Sequence, residues 1–108
     1  MKNKASGQSG MNSEDIPVRH EPAAKRFAVR LEGKIGYLSY EQKEQKTLDY
    51  AHVYVPPDFR GRGIAAELTR TALEYARNNG FSVIPSCPYV DSYIRKHPEY
   101  TDLVTNSR

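Results

Sequence analysis

Arg60-Gly61-Arg62-Gly63-Ile64-Ala65 joins a strand-like run to a helix-like run, and that junction decides the architecture. Before it, Leu48 to Val55 is rich in β-branched and aromatic residues and stops at Pro56-Pro57, which cannot continue a central strand. After it, Ala65, Leu68, Ala72, Leu73 and Ala76 recur at helical spacing, with Glu67, Arg70, Glu74 and Arg77 between them. A strand, a short loop with two glycines and a helix start leave backbone N–H groups free to hold an anion, phosphate above all. A Cβ at Gly61 or Gly63 would hold a phosphate off the backbone, and Arg60 and Arg62 add positive charge. The loop is not a P-loop, since no Lys-Ser/Thr pair follows the glycines, and its spacing misses the G-x-G-x-x-G pattern. A plainer reading stays open, in which the glycines only relieve strain in a polar connection.

Working outward, Arg26 to Leu31 alternates, meets the tight-turn pair Glu32-Gly33, and resumes as Ile35 to Tyr40, which spells a hairpin. The polar run Glu41 to Lys46 reads as a second turn, returning the Leu48–Val55 strand antiparallel to its predecessor. Asn78-Asn79-Gly80 stops the helix, and Phe81 to Pro85 follows as a strand that one helical crossover makes parallel to Leu48–Val55. Tyr89–Lys96 and Glu99–Val104 each have the length of a short helix, parted by His97-Pro98. The expected fold is therefore α/β: three antiparallel strands, a crossover helix, a fourth strand parallel to the third, and short terminal helices. Residues 1–19 hold almost nothing to bury and are read as a flexible segment, leaving 20–108 as one domain.

Arg60-x-x-Gly63-x-Ala65 resembles the pyrophosphate loop of the GNAT-type N-acetyltransferases. The resemblance extends through His52-x-x-Val55-Pro56, Ile84-Pro85-Ser86-Cys87 and His97-Pro98-Glu99-Tyr100, spanning roughly residues 25 to 104. It implies that the backbone of Val53, Tyr54 and Val55 bonds the pantetheine arm of acetyl-coenzyme A as an added strand would. Residues Arg60, Gly61, Arg62, Gly63, Ile64 and Ala65 would then hold the pyrophosphate. Compared with the usual pattern the chain is short, lacking the N-terminal helices and the closing C-terminal hairpin.

Four side chains are candidates for the chemistry. Imidazoles as a class suit proton transfer near neutral pH, and His52 lies shortly before the strand's end, so it is a candidate general base, or else a histidine packed on a sheet face. Cys87, at the end of the neighbouring strand, is a candidate acetyl-accepting nucleophile if His52 lowers its pKa, or else a small buried hydrophobe. Tyr89 and Tyr93, one helical turn apart, are candidates to protonate the leaving thiolate, as a tyrosine does in many GNAT enzymes. His97 with Tyr100 reads as terminal packing.

Composition bounds these readings. A chain of 108 residues, 38% hydrophobic and 27% charged, builds one core. A formal charge of +3 suits an anionic ligand but is mild for a dedicated nucleic-acid binder. The lone Cys87 excludes an intramolecular disulfide, and no Cys/His spacing fits a structural zinc site, so no metal is expected. No stretch is apolar enough for a membrane span or a secretory h-region, and the expectation is a cytoplasmic protein without a membrane partner. The preferred function is transfer of acetyl from acetyl-coenzyme A to a small-molecule or protein amine. The competing readings are a non-catalytic acyl-coenzyme-A-binding module and, behind it, an RNA-binding domain using Arg60, Arg62, Arg70 and Arg77.

Overall fold

Glu32 and Gly33 both take positive φ, 54° and 78°, the geometry of a two-residue hairpin turn, and fold β2 (Arg26–Leu31) back onto β3 (Lys34–Lys43). A second tight turn with Gln45 and Lys46 at positive φ returns the chain as β4 (Thr47–Tyr54). The polar run expected to be all turn is thus mostly strand: Glu41, Gln42 and Lys43 pair with Asp49, Leu48 and Thr47. Its side chains are exposed, and a solvated hairpin end tolerates polar residues that a sheet interior would not.

The computed structural model describes residues 16–105. After β4, helix α1 (Ile64–Asn78) crosses over to β5 (Ser82–Ile84), which pairs parallel to β4, and α2 (Pro88–Lys96) follows. The remaining segment, Pro98–Leu103, is a 3₁₀ helix where an α-helix was expected, with Pro98 restricting the residue before it. Val104 then makes a parallel bridge to Val83, covering the outer edge of β5.

The sheet has five strands in the order β1-β2-β3-β4-β5, one more than expected. The addition is β1 (Arg19–Glu21), antiparallel to β2. Part of the 1–19 segment read as flexible falls among the described residues. Residues 1–15 lie outside the described residues, whereas Ile16 is only 6% exposed in the core and Arg19 pairs with Ala28. Arg19-His20-Glu21 is short and polar and carries no strand signal; backbone pairing with β2 makes it one.

One face of the sheet holds the core. Phe27, Val29, Leu38, Tyr40, Leu48 and Tyr50 alternate inward and meet Ile64, Leu68, Ala72, Leu73 and Ala76 of α1, with Val90 and Ile94 of α2 beside them. Tyr50 pins helix to sheet, its buried hydroxyl donating to the Ala72 carbonyl at 2.6 Å. Gly36 marks a close approach: a Cβ there would lie 3.2 Å from the Tyr54 carbonyl. The opposite face, with Arg26, Arg30, Tyr37 and His52, has no helix against it among the described residues. There Glu21 bonds both Arg30 and Arg26, which hold its carboxyl down to about 2.

His20 sits at the edge of the core, stacked on Phe27 with ring centroids 4.4 Å apart and with Nε2 2.6 Å from the Tyr40 hydroxyl. Burial lowers its pKa below the ordinary 6.5. The unfolded chain therefore takes up this proton at a higher pH than the folded one. Stability is full above the unfolded value and is lost as pH falls through the folded one. Chemical denaturation from about pH 7 down to about pH 5 is expected to show this loss, and a His20→Gln variant to flatten it. An equally steep loss in the variant would assign the slope to other groups.

Candidate functional site

The end of β4 presents an open backbone edge. The β4–β5 ladder covers only Thr47, Leu48 and Asp49 opposite Ser82, Val83 and Ile84. One further bond, from the Cys87 N–H to the Tyr50 carbonyl at 2.9 Å, closes the fork. Beyond it the strands diverge, because Pro85 and Pro88 bracket the start of α2 and cannot extend a ladder. From Ala51 to Tyr54, β4 is paired with β3 alone, and no strand borders its other side among the described residues. An irregularity in the β3–β4 register, between Ser39 and Tyr40, leaves Ala51 unmatched at the same level.

This open edge leads into the glycine loop. Pro57–Phe59 forms a 3₁₀ turn that buries Phe59 under the loop, and Arg62 lies over its ring, 5.1 Å from the centroid. Arg60 donates from Nε to the Val55 carbonyl at 3.0 Å, tying the loop to the strand. Val55 was expected to offer backbone bonds to a ligand; its carbonyl is already taken by this contact. Gly61 and Gly63 have φ of 85° and 83°, and the space where each Cβ would stand is empty within 4 Å. Both glycines are therefore favoured by backbone conformation, and both leave open space beside the loop.

Gly63 is the N-cap of α1 and supplies no side-chain cap. The first bond of the helix runs from the Glu67 N–H to the Gly63 carbonyl, so the N–H groups of Ile64, Ala65 and Ala66 precede any intrahelical acceptor. Three such donors and the positive end of a 15-residue helix make an anion site open to solvent. Glu67 does not fill it: its buried carboxylate turns to Arg70, at 2.6 Å and 3.0 Å.

The four candidate side chains fall in different surroundings. His52 is exposed, pairs in register with Ser39, and lies on the sheet face away from α1, its ring 6.0 Å from that of Tyr37. Cys87 is 6% exposed and belongs to the core on the α1 side, at the N-cap of α2. The structure thus separates the two groups that the sequence placed at one mouth, and no contact between them is present among the described residues. The reason is the pleat: a residue at the strand's outer register cannot turn its ring to the face that buries the thiol.

Tyr89 is 40% exposed on the first turn of α2, and burial of part of its ring pushes its hydroxyl pKa up. Tyr93 is held by packing, stacked on His97 at 4.1 Å, and its pKa is raised chiefly by burial. His97 and Tyr100 are packing residues as expected, with the Tyr100 hydroxyl donating to Glu74 at 2.6 Å. Reading the sequence missed Asp49, whose Oδ1 is shut away from solvent with no hydrogen-bond partner. An acid inside an otherwise apolar and aromatic strand was the available signal.

The profile of the GCN5-related N-acetyl-transferase family matches residues 26–103. The chain belongs to this family. It is 35% identical over 88 residues to Protein NATD1 of Xenopus tropicalis, covering 80% of this chain and 81% of that one. It is 33% identical over 85 residues to Protein NATD1 of Homo sapiens, covering 77% and 75%. The fold matches the solution NMR structure of a GCN5-like protein from Staphylococcus aureus with a TM-score of 0.66 at 19% identity, over 86% of this chain and 91% of the other. The GCN5-related chain described here is thus a compact α/β member of the family built on a mixed five-stranded sheet.

Two surface cavities accompany the site. One of about 360 Å³, lined by Ile35, Tyr54, Pro56 and Pro57, lies beside the end of β4. The larger, about 680 Å³, is at the far ends of β4 and β5, around Thr47, Ser82 and Ile84, away from the glycine loop. Among the described residues no cluster of His, Cys, Asp and Glu could hold a metal ion, and no helix is long and apolar enough to cross a membrane.

Proposed function

We propose that this protein transfers the acetyl group of acetyl-coenzyme A to the nitrogen of an amine. The observation that carries the reading is the continuity between the open edge of β4 at Ala51–Tyr54 and the uncapped start of α1 behind Gly61 and Gly63. An extended amide-bearing chain that ends in a pyrophosphate fits this track: strand-like bonding along the edge, anion binding at the helix.

The chemistry needs position and proton transfer more than covalent help. The acceptor nitrogen attacks the thioester carbon, a C–N bond forms, and the C–S bond breaks with its electron pair staying on sulfur. His52 takes the proton lost by the nitrogen, and its exposure lets it return that proton to solvent. The thiolate leaves with a proton from Tyr89 or from water. Tyr89 is favoured over Tyr93 because the latter is locked against His97. The site's native mass spectrum is expected to show a coenzyme-A-sized ligand, and an amine panel with labelled acetyl-coenzyme A to show turnover. Absence of coenzyme binding would overturn the reading.

The bare sheet face supports a second reading, a coenzyme-binding module without catalysis, since nothing in the described residues walls in an acceptor there. Coenzyme binding with no turnover on any amine would favour it.

A buried thiol without an imidazole neighbour argues for direct transfer. Cys87→Ala is expected to retain most of its activity, and intact-mass analysis with acetyl-coenzyme A alone to reveal no acetylated protein. A hydroxylamine-sensitive gain of one acetyl group, lost in Cys87→Ala, would instead establish a covalent route.

A further inference from the structure

The acid in the first turn of α1 is Glu67, and its side chain is 7% exposed. An acid so placed ordinarily complements the positive pole of its helix, which sets it against any anion arriving from outside. Here the carboxylate is engaged elsewhere. Arg70 grips it at two points, with Nε at 3.0 Å and a terminal nitrogen at 2.6 Å, and Thr71 adds a longer contact at 3.4 Å. Both partners lie C-terminal to Glu67 on the same helix, so the carboxylate is drawn along α1 away from the open N–H groups of Ile64, Ala65 and Ala66. About 6 Å of helix axis separates Gly63 from Glu67, and about 10 Å separates Gly63 from Arg70. The hydrogen bond to Glu67 is also the main cause of the raised Arg70 pKa. Nearby groups leave the balance to this pair: Glu74 is taken by the Tyr100 hydroxyl, and Tyr93 and Tyr100 are phenols whose pKa burial pushes up.

We propose that Arg70 is a positioning residue for the coenzyme, holding and neutralising the Glu67 carboxylate so that the start of α1 stays free for a pyrophosphate. This rests on the acetyltransferase reading, through the anion site that reading uses. Arg70 acts through Glu67 and not by contact with the reacting atoms. Without the guanidinium, a full negative charge would stand within about 10 Å of the bound phosphates along a partly buried path. At that separation one charge pair is worth roughly tenfold in affinity, and a pyrophosphate carries more than one charge.

Coenzyme A affinity is measured by calorimetry at low salt for the wild type, Arg70→Met, Arg70→Lys, Glu67→Gln and the double variant Glu67→Gln/Arg70→Met. Arg70→Met is expected to raise the dissociation constant about 10–100-fold, and added salt to narrow that gap by screening the exposed charge. Arg70→Lys keeps the charge but loses the two-point grip, so it should fall between. Glu67→Gln removes the competing charge and should bind at least as tightly as the wild type. The double variant decides the matter. Deleting both charges should return the affinity to within about threefold of the wild type, because the repulsion and its antidote leave together. A merely structural role would give no such recovery, since losing both partners from the helix would weaken binding at least as much as losing one.

Wild-type affinity in Arg70→Met, or a double variant as weak as Arg70→Met, overturns the proposal. If Arg70→Met does not fold, Arg70→Lys takes its place, with Glu67→Gln/Arg70→Lys as the rescuing pair. If the wild type binds no coenzyme A, the parent reading falls, and inorganic pyrophosphate becomes the probe. The same order among the variants then upholds the role of Arg70, and no binding by any of them rejects it as well.

Discussion

His52→Ala is expected to lower kcat by ~10²–10⁴-fold with the affinity for acetyl-coenzyme A unchanged, the loss typical of removing a general base. The imidazole is exposed beside Ala51, at the point where β4 loses its β5 neighbour, and packs only loosely against Tyr37. It contributes nothing to the core, so the variant should fold normally, and the track proposed for the coenzyme along the backbone of Ala51–Tyr54 does not need its side chain. Rapid-quench transfer with an identified acceptor, together with a coenzyme titration by calorimetry, separates the two quantities. An unchanged kcat would remove His52 from the mechanism and direct attention to water-mediated proton loss. A weakened coenzyme affinity would mean that the ring positions the ligand instead.

The second large effect belongs to the glycine loop. Coenzyme A at a hundredfold excess over its dissociation constant is expected to stabilise the wild type by about 2.7 kcal/mol, and acetyl-coenzyme A at the same relative excess by the same amount, since both carry the pyrophosphate. Gly63→Ala should abolish this shift by placing a methyl group in the space now empty beside the loop, where the proposed pyrophosphate would lie. It should also cost the unliganded protein about 1–2 kcal/mol, because a Cβ at φ 83° meets its own carbonyl. Gly63→Asn separates the two effects: asparagine tolerates left-handed backbone, so the unliganded fold is less perturbed while the cradle stays blocked. Thermal shift against coenzyme concentration reads all three proteins. A full shift retained in both variants would contradict the assigned anion site.

How much of this site was legible beforehand depended on whether the signal was local. The loop was readable because every requirement acts within six residues: a strand that must stop at Pro56-Pro57, glycines that must take positive φ, and a helix that must start uncapped. The same holds for the Glu32-Gly33 hairpin and for α1, whose apolar positions repeat at the helical period. By contrast, β1 was missed because Arg19-His20-Glu21 has no strand propensity of its own and is recruited by antiparallel pairing in register with Ala28, Phe27 and Arg26. The terminal segment became a 3₁₀ helix because Pro98 and the bridge to Val83 constrain so short a piece from both ends.

His52 and Cys87 show the same division in the site itself. Each was identifiable by its chemistry and its distance from a strand end, and the α/β class, the glycine loop and this short set of candidates all followed from the order of residues along the chain. Which face of the sheet each side chain takes was decided by the tertiary structure. The displaced register at Ala51 and the alternation of the pleat send His52 outward, while the packing of α2 against α1 draws Cys87 into the core. Asp49 is the clearest case: its sequence neighbours mark it only as an acid in an apolar and aromatic strand, and it is pairing with Glu41 on one side and Ile84 on the other that leaves one carboxylate oxygen buried and unpaired. Local propensity is additive along the chain, whereas the pairing of a charge is settled by whatever the other strands bring beside it.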